Sequence, residues 1–123
     1  MKRIMFQAYV KDSAGAVALY QRAFGATLGD HVKNDDGSFY HSELEMYGQI
    51  LSVAELPEGT PVTGTAMQLC LHFGEDEKPE LEAVYEVLKE GADVLYPLGP
   101  CDWGVCMADL VDRYGVRWGL FIA

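Results

Sequence analysis

Apolar residues recur with helical spacing in two segments of the chain. The first segment follows the capping pair Asp12-Ser13 and ends at Gly25, and the second begins at Pro79 and ends at Gly91. The apolar stripe of the first is Ala16, Val17, Tyr20, Ala23 and Phe24, and that of the second is Leu81, Val84, Tyr85 and Leu88. The pattern therefore predicts two amphipathic helices.

Apolar or alternating runs surround both helices in the same order. One run precedes each helix and three follow it, with turn residues such as "NDDG" at 34–37 between them. The predicted strands of the first half are 3–10, 27–33, 38–46 and 49–54, and those of the second half are 66–73, 92–98, 103–111 and 116–122. Each half therefore reads as a βαβββ unit.

The two halves also repeat particular residues at nearly the same offset. The pair Tyr47-Gly48 recurs as Tyr114-Gly115, and the pair Gly25-Ala26 recurs at 91–92. The Pro- and Gly-containing stretch 55–65 reads as a linker between a module at 1–54 and a module at 66–123. We therefore predict an α+β fold in which two tandem βαβββ modules form one structural domain, with a curved mixed sheet around a shared cleft. Because such halves can also complete a sheet with a second chain, we expect a homodimer.

Composition narrows the classes of partner. Half of the 123 residues are hydrophobic and the formal net charge is −10, with no basic cluster longer than Lys2-Arg3. A nucleic-acid or anionic-membrane surface needs the opposite charge, so neither partner is expected. No apolar run approaches a membrane-spanning length, and Lys11 and Asp12 arrive before a signal-peptide core could form. We expect a cytoplasmic protein.

Three cysteines, Cys70, Cys101 and Cys106, form neither an even set nor a CxxC pair. In a cytosolic protein this pattern favours free thiols, buried in the core, over a structural zinc site.

Several stretches together resemble the vicinal oxygen chelate superfamily, which includes glyoxalase I, bleomycin-resistance proteins and extradiol dioxygenases, and within it the PhnB-like branch. They span nearly the whole chain: "AVALYQRAFGA" at 16–26, "DDGSFYHSELEMYGQILSV" at 35–53, "LKEGADVLYPL" at 88–98 and "WGVCMADLVDRYGVRWGLFI" at 103–122. The resemblance implies the glyoxalase/bleomycin-resistance fold.

The resemblance also implies where a metal ion would bind. Metal-dependent members place four ligands in the cleft, and these places fall here on Met5, on Leu51 or Ser52, on Gln68 and on Gly119. Divalent transition metals prefer imidazole, carboxylate or thiolate ligands, and of these side chains only Gln68 could serve, weakly. We therefore expect no metal cofactor, and glyoxalase or dioxygenase activity is not expected.

Strand alternation divides the remaining candidates between core and cleft. The predicted core residues are Phe6, Ala8, Val10, Tyr40, Leu44, Met46, Leu69, Leu71, Phe73, Trp118 and Leu120. The predicted cleft residues are Gln7, Tyr9, Phe39, His41, Glu43, Gln68, Cys70, His72 and Phe121, with Met5, Arg117 and Gly119 on the same side. Trp103 is a further candidate: it either stacks on a planar or cationic ligand at the cleft mouth or packs at an edge or dimer contact.

His41 and Glu43 are the candidate catalytic residues, because a carboxylate beside an imidazole fixes its tautomer and makes a general base. With His72 they could also form a metal triad, although a solvated strand face often carries the same residues. Three functions follow as hypotheses. The first is metal-free binding of a small aromatic or cationic molecule; the second is an enzyme with a rewired site at His41, Glu43 and His72; the third is a role in assembly, with the cleft filled by side chains.

Overall fold

The computed structural model describes residues 1–60, 64–99 and 106–122. The chain divides into two compact units, Met1–Pro61 and Val62–Ala123. The first contains β1 (Phe6–Val10), α1 (Ser13–Phe24), β2 (Thr27–Lys33), β3 (Phe39–Met46) and β4 (Gln49–Glu55). The second contains β5 (Leu69–Phe73), a short 3₁₀ turn (Glu75–Glu77), α2 (Lys78–Leu88), β6 (Asp93–Tyr96), β7 (Cys106–Val111) and β8 (Arg117–Ile122). The predicted α+β fold of two βαβββ modules is confirmed.

The two sheets share one topology. Their strand orders are β1-β4-β3-β2 and β5-β8-β7-β6, so each sheet has one parallel pair, β1 with β4 or β5 with β8, and two antiparallel pairs. In both units the first strand is therefore an edge strand beside the last one. The repeat visible in the sequence is a repeat of this whole arrangement.

Helix α1 packs on β3 and β4 of the first unit. The Asp12 carboxylate accepts a hydrogen bond from the Gly15 amide at 3.1 Å, and Gly25 ends the helix in the left-handed conformation, at φ 63°. The Glu55 carboxylate, at the end of β4, accepts hydrogen bonds from the Ser13 amide and the Ser13 hydroxyl, both at 2.8 Å. Helix and sheet are thus joined by polar contacts at the helix N-terminus as well as by the buried apolar stripe.

The closing Tyr-Gly turn of the second unit forms around a buried carboxylate. Asp112 accepts hydrogen bonds from the amides of Tyr114 and Val116, at 2.8 and 3.1 Å, and from the indole nitrogen of Trp118 at 2.9 Å. Trp118 is buried in the core of this unit, and Gly115 takes a φ of 89° in the turn. The Tyr-Gly turn thus has a structural role, because its shape depends on the buried Asp112.

Two core assignments from strand alternation are wrong. The pairing Val32↔His41 is followed by Lys33↔Phe39, so Tyr40 is an extra residue that forms a bulge in β3. The bulge reverses the alternation: Phe39, predicted for the cleft, is buried (5% exposed), and Tyr40, predicted for the core, is 71% exposed. Phe6, also predicted for the core, is 56% exposed at the start of β1, whereas Val10 at the end of the same strand is buried.

The cysteines also differ from expectation. Cys70 is free but exposed rather than buried. Cys106 is buried and disulfide-bonded, which corrects the expectation of a free thiol at this position. Cys101 lies outside the described residues. Among the described residues, no helix is long and apolar enough to cross a membrane.

Candidate functional site

A row of polar residues crosses three strands of the first sheet. Gln7 on β1 pairs with Ser52 on β4, and Ser52 pairs with Glu43 on β3. Residues paired across neighbouring strands point to the same face of a sheet, so these three side chains lie together. The buried Ser52 hydroxyl donates a hydrogen bond to Gln7 Oε1 at 2.8 Å.

His41 lies next to this row and contacts all three of its members. Its Nε2 is 2.9 Å from Glu43 Oε2, and its Nδ1 is 3.1 Å from Gln7 Oε1 and 3.4 Å from Ser52 Oγ. The predicted pairing of His41 with Glu43 is therefore present in the first unit. Both ring nitrogens face polar atoms, so the orientation of the imidazole ring is fixed.

Arg3 completes the network from the segment before β1. Its guanidinium donates to both Glu43 oxygens, at 3.2 and 3.0 Å. These hydrogen bonds, together with that from His41, hold the pKa of Glu43 below its usual value despite the opposing effect of burial. Glu43 is thus an ionised carboxylate whose two oxygens both accept hydrogen bonds, which suits it to orienting His41 rather than to accepting a proton itself.

A cavity of about 420 Å³ opens beside this network in the first unit. Tyr9 and Tyr40, both exposed, contribute their rings, and none of the described residues that line it is a lysine or an arginine. The polar part of its lining comes from Gln7, Asn34, His41 and Glu55. The volume falls within the range of small-molecule sites.

The second sheet carries a corresponding row. Cys70 pairs with Gly119, and Gly119 pairs with Asp109, as Gln7, Ser52 and Glu43 do in the first sheet. Arg117 donates to both Asp109 oxygens, at 3.0 and 2.6 Å, and Gln68 Nε2 donates to Oδ1 at 2.9 Å. The hydrogen bonds from Arg117, and then that from Gln68, lower the pKa of Asp109 although burial opposes them. Each sheet therefore has an acidic residue held by an arginine.

The positions that metal-dependent members of the superfamily use for ligands do not fit a metal ion here. Leu51 is buried and apolar, and the Ser52 hydroxyl is hydrogen-bonded to Gln7. A side chain at Gly119 would have its Cβ 2.6 Å from the Phe121 ring and 2.8 Å from Gln68 Nε2, so the space for a ligand there is filled. In the described parts of the chain, no group of three or more His, Cys, Asp or Glu side chains could hold a metal ion.

The remaining candidates lie on the second unit or outside the described residues. The His72 ring stacks on Phe121 with 5.1 Å between ring centroids, and Cys70 Sγ lies 3.2 Å from Gln68 Oε1. Trp103 lies outside the described residues. In the first unit the structure thus brings together the predicted residues Gln7, Tyr9, His41 and Glu43, and within the second unit it pairs His72 with Phe121 and Cys70 with Gln68.

Sequence reasoning missed five contributors: Arg3, Asn34, Tyr40, Glu55 and Asp109. For Asp109 a signal was present, because it follows Glu43 at the same offset that separates Gly25 from Gly91. Tyr40 points to the cavity side of its strand because of the bulge in β3. The contacts of Arg3 and Asn34 are made by side chains outside the regular strand alternation, so the alternation does not predict them.

Solved structures with the same fold support the assignment of the architecture. A PhnB protein from Bacillus cereus superposes with a TM-score of 0.80 at 21% identity, covering 100% of both chains. Protein PA1353 from Pseudomonas aeruginosa gives 0.80 at 22% identity, over 99% of this chain and 98% of that chain. The fosfomycin resistance protein FosX from Listeria monocytogenes gives 0.72 at 14% identity, over 100% and 93%.

No known protein-family profile and no curated protein sequence matches the chain. The structural neighbours nevertheless define its class: the chain has the glyoxalase/bleomycin-resistance fold. The resemblance to the vicinal oxygen chelate superfamily, with PhnB-like neighbours, is thereby confirmed at the level of the fold.

Proposed function

We propose that this protein binds a small organic molecule, without a metal ion, in the cavity of its first unit. The observation that carries the proposal is the juxtaposition of two exposed tyrosine rings with a fixed polar network. Tyr9 and Tyr40 offer flat apolar surfaces, and the Ser52-Gln7-His41-Glu43 network offers hydrogen bonds in a set geometry. Ligand sites generally combine such apolar surface with a few placed polar groups.

The charge of the site favours an aromatic or cationic ligand over an anionic one. The guanidinium of Arg3 is committed to Glu43, and the described residues that line the cavity include the acidic Glu55 but no lysine or arginine. The net charge of −10 acts in the same direction over a longer range. Tyrosine rings attract cations as well as flat aromatic groups.

A thermal-shift screen of aromatic and cationic fragments tests this proposal. Tyr40→Ala removes one ring from the cavity, and Tyr96→Ala removes an exposed tyrosine from β6 of the second unit as a matched control. We expect fragments that raise the melting temperature of the wild type and of Tyr96→Ala but not of Tyr40→Ala. Fragments that stabilise all three proteins equally, or no stabilising fragment at all, would contradict the proposal.

The contact between His41 and Glu43 also favours a second candidate, an enzyme acting on a small metabolite. In this reading Glu43 orients the ring and His41 moves the proton. FosX, which shares the fold, is described as a fosfomycin resistance protein, and one of its structures contains Mn(II).

Metabolite mixtures incubated with the wild type and with His41→Gln distinguish the two candidates. A compound consumed only by the wild type would establish the enzyme. If no compound in the mixtures is consumed, and if fragments raise the melting temperature only when Tyr40 is present, the binding function is favoured over the enzyme.

A further inference from the structure

Among the described residues, the side-chain amide of Gln7 is hydrogen-bonded through its oxygen and not through its nitrogen. Its Oε1 lies 2.8 Å from the Ser52 hydroxyl and 3.1 Å from His41 Nδ1. Its Nε2 has no hydrogen-bond partner among the described residues. The Gln7 side chain is exposed, and it lines the cavity. One end of this amide is therefore committed to the protein, and the other is available to a ligand.

The buried hydroxyl of Ser52 decides which end faces inward. Amide oxygen and nitrogen have the same shape, so their placement follows from the hydrogen-bond network. With the oxygen inward, the hydroxyl donates over 2.8 Å to Gln7. With the nitrogen inward, the remaining acceptor for the hydroxyl among the described residues is His41 Nδ1 at 3.4 Å, which is long for a hydroxyl donor. A buried hydroxyl needs an acceptor, so the oxygen-inward arrangement is favoured.

The contacts of His41 continue the network on the inner side of Gln7. Its Nδ1 lies 3.1 Å from Gln7 Oε1, and its Nε2 lies 2.9 Å from Glu43 Oε2, whose carboxylate is itself held by Arg3. The Ser52 hydroxyl, which donates to Gln7 Oε1, thus decides which atoms Gln7 presents to the cavity.

We propose that Gln7 determines the specificity of the cavity by presenting amide N–H donors, so that the site selects flat ligands that carry an oxygen acceptor such as a carbonyl group. The inference rests on the proposed binding function and adds the chemical class of the ligand. Ser52 is the positioning residue, because it acts on the ligand only through the orientation of Gln7.

Three flat three-ring compounds of matched shape test the inference. Fluorenone carries a carbonyl acceptor, carbazole an N–H donor and fluorene neither, and their affinities for the full chain are measured by isothermal titration. One hydrogen bond to the carbonyl makes fluorenone bind about tenfold more tightly than fluorene. Carbazole, whose N–H meets the amide N–H groups, binds more weakly than fluorenone.

The variant Gln7→Glu keeps the shape of the side chain but turns an oxygen toward the cavity. We expect it to reverse the preference, so that carbazole binds more tightly than fluorenone. Gln49→Glu makes the same chemical change at an exposed position outside the cavity and retains the wild-type preference. Ser52→Ala frees the amide to rotate, so the preference for fluorenone over carbazole shrinks.

The amide signals of Gln7 in a ¹H–¹⁵N spectrum give an independent readout. Fluorenone shifts them in the wild type, and fluorene does not. Equal affinities for the three compounds in the wild type, or a fluorenone preference that survives Gln7→Glu, overturn the inference. If the inference fails in this way but fluorene binds to the wild type and not to Tyr40→Ala, the proposed function is still supported. Failure of all three compounds to bind overturns the inference too, while the fragment screen tests the function separately.

Discussion

Among single residues, Gly119 departs most clearly from the ligand positions that the resemblance to metal-dependent proteins implies. The space a side chain would need is occupied by Gln68 and by the ring of Phe121. The Gln68 amide is in turn hydrogen-bonded to Asp109, whose carboxylate is also held by Arg117. The packing of the second sheet therefore leaves no room for a side chain at position 119.

Gly119→Ala tests that packing. The new Cβ would lie 2.6 Å from a Phe121 ring atom and 2.8 Å from Gln68 Nε2, so the ring must move. Overpacking of this kind costs about 1–3 kcal/mol in the free energy of unfolding, measured by urea denaturation. Gly29→Ala is the control: its Cβ would meet its nearest neighbour, the Glu43 carbonyl oxygen, at an ordinary 3.5 Å. Equal stabilities of the two variants would show that the space beside Gly119 is not filled.

Strand alternation predicts the shared face of Gln7, His41 and Glu43 correctly but fails at the bulge in β3. Alternation assigns His41, Glu43 and Gln7 to one face, and they do lie together. It assigns Phe39 and Tyr40 to the wrong faces because a bulge adds one residue to β3. A bulge leaves no reliable mark on the pattern of apolar residues, so alternation cannot detect it.

At the scale of elements, the start of α1 depends on β4 as well as on its own cap. Glu55 accepts hydrogen bonds from the Ser13 amide, the Ser13 hydroxyl and the Asp12 amide, the last at 3.1 Å. The Ser13 hydroxyl also accepts a hydrogen bond from the Phe39 amide at 2.8 Å. One buried hydroxyl and one carboxylate thus fix the helix end relative to two strands, next to the cavity that Glu55 helps to line.

We predict that Glu55→Gln lowers the free energy of unfolding by about 1–2 kcal/mol at neutral pH, the usual cost of a lost helix cap. Burial raises the pKa of Glu55, but the hydrogen bonds from Ser13 and Asp12 outweigh it and the pKa is lowered. The stabilisation is therefore complete above the ordinary carboxyl pKa and is lost as the pH falls through the lowered value.

Urea unfolding of wild type and Glu55→Gln across the acidic range measures this effect. The difference between the two proteins should shrink as the pH falls. Glu58→Gln, at an exposed position after β4, serves as the control and should differ little from the wild type at any pH. A difference that grows toward acid pH would contradict this account of Glu55.

The helices themselves can be predicted well from the sequence. The first is predicted between Asp12-Ser13 and Gly25 and spans Ser13–Phe24; the second is predicted to begin at Pro79 and begins one residue earlier, at Lys78. Capping residues and Gly stops are local signals, so the sequence contains them. The contact of Glu55 with the first turn joins positions far apart in the chain, and no local pattern reveals it.

At the scale of the whole molecule, the repeat extends to the chemistry of the sheets. Each unit places an acidic residue, Glu43 or Asp109, on its second-last strand and holds both carboxylate oxygens with an arginine. The arginines come from different places, Arg3 before the first strand and Arg117 on the last. The acidic residue is thus repeated at equivalent positions of the two units, but the arginine that binds it is not. The sequence repeat therefore predicts the strand order of both sheets and does not predict which arginine pairs with each acidic residue.

We predict a homodimer, because large apolar side chains remain uncovered near the first strand of each unit. Ile4, Phe6 and Met67 are exposed, and exposed apolar surface is commonly covered by association with another chain. Sedimentation velocity should give twice the chain mass of 13.6 kDa. Phe6→Glu should shift the protein toward the monomer, whereas Val32→Glu, at a similarly exposed position on β2, should not. A wild type that sediments as a monomer at micromolar concentration would contradict this prediction.

We propose that this chain, which has the glyoxalase/bleomycin-resistance fold, binds its ligand without a metal ion. The most direct test is the metal content of the purified protein, measured before and after incubation with Mn²⁺, Ni²⁺ or Zn²⁺ and removal of unbound ions. We predict substoichiometric metal in every sample, because Gly119 has no side chain and Ser52 and Gln68 are committed to internal hydrogen bonds. One tightly held ion per chain would contradict the account.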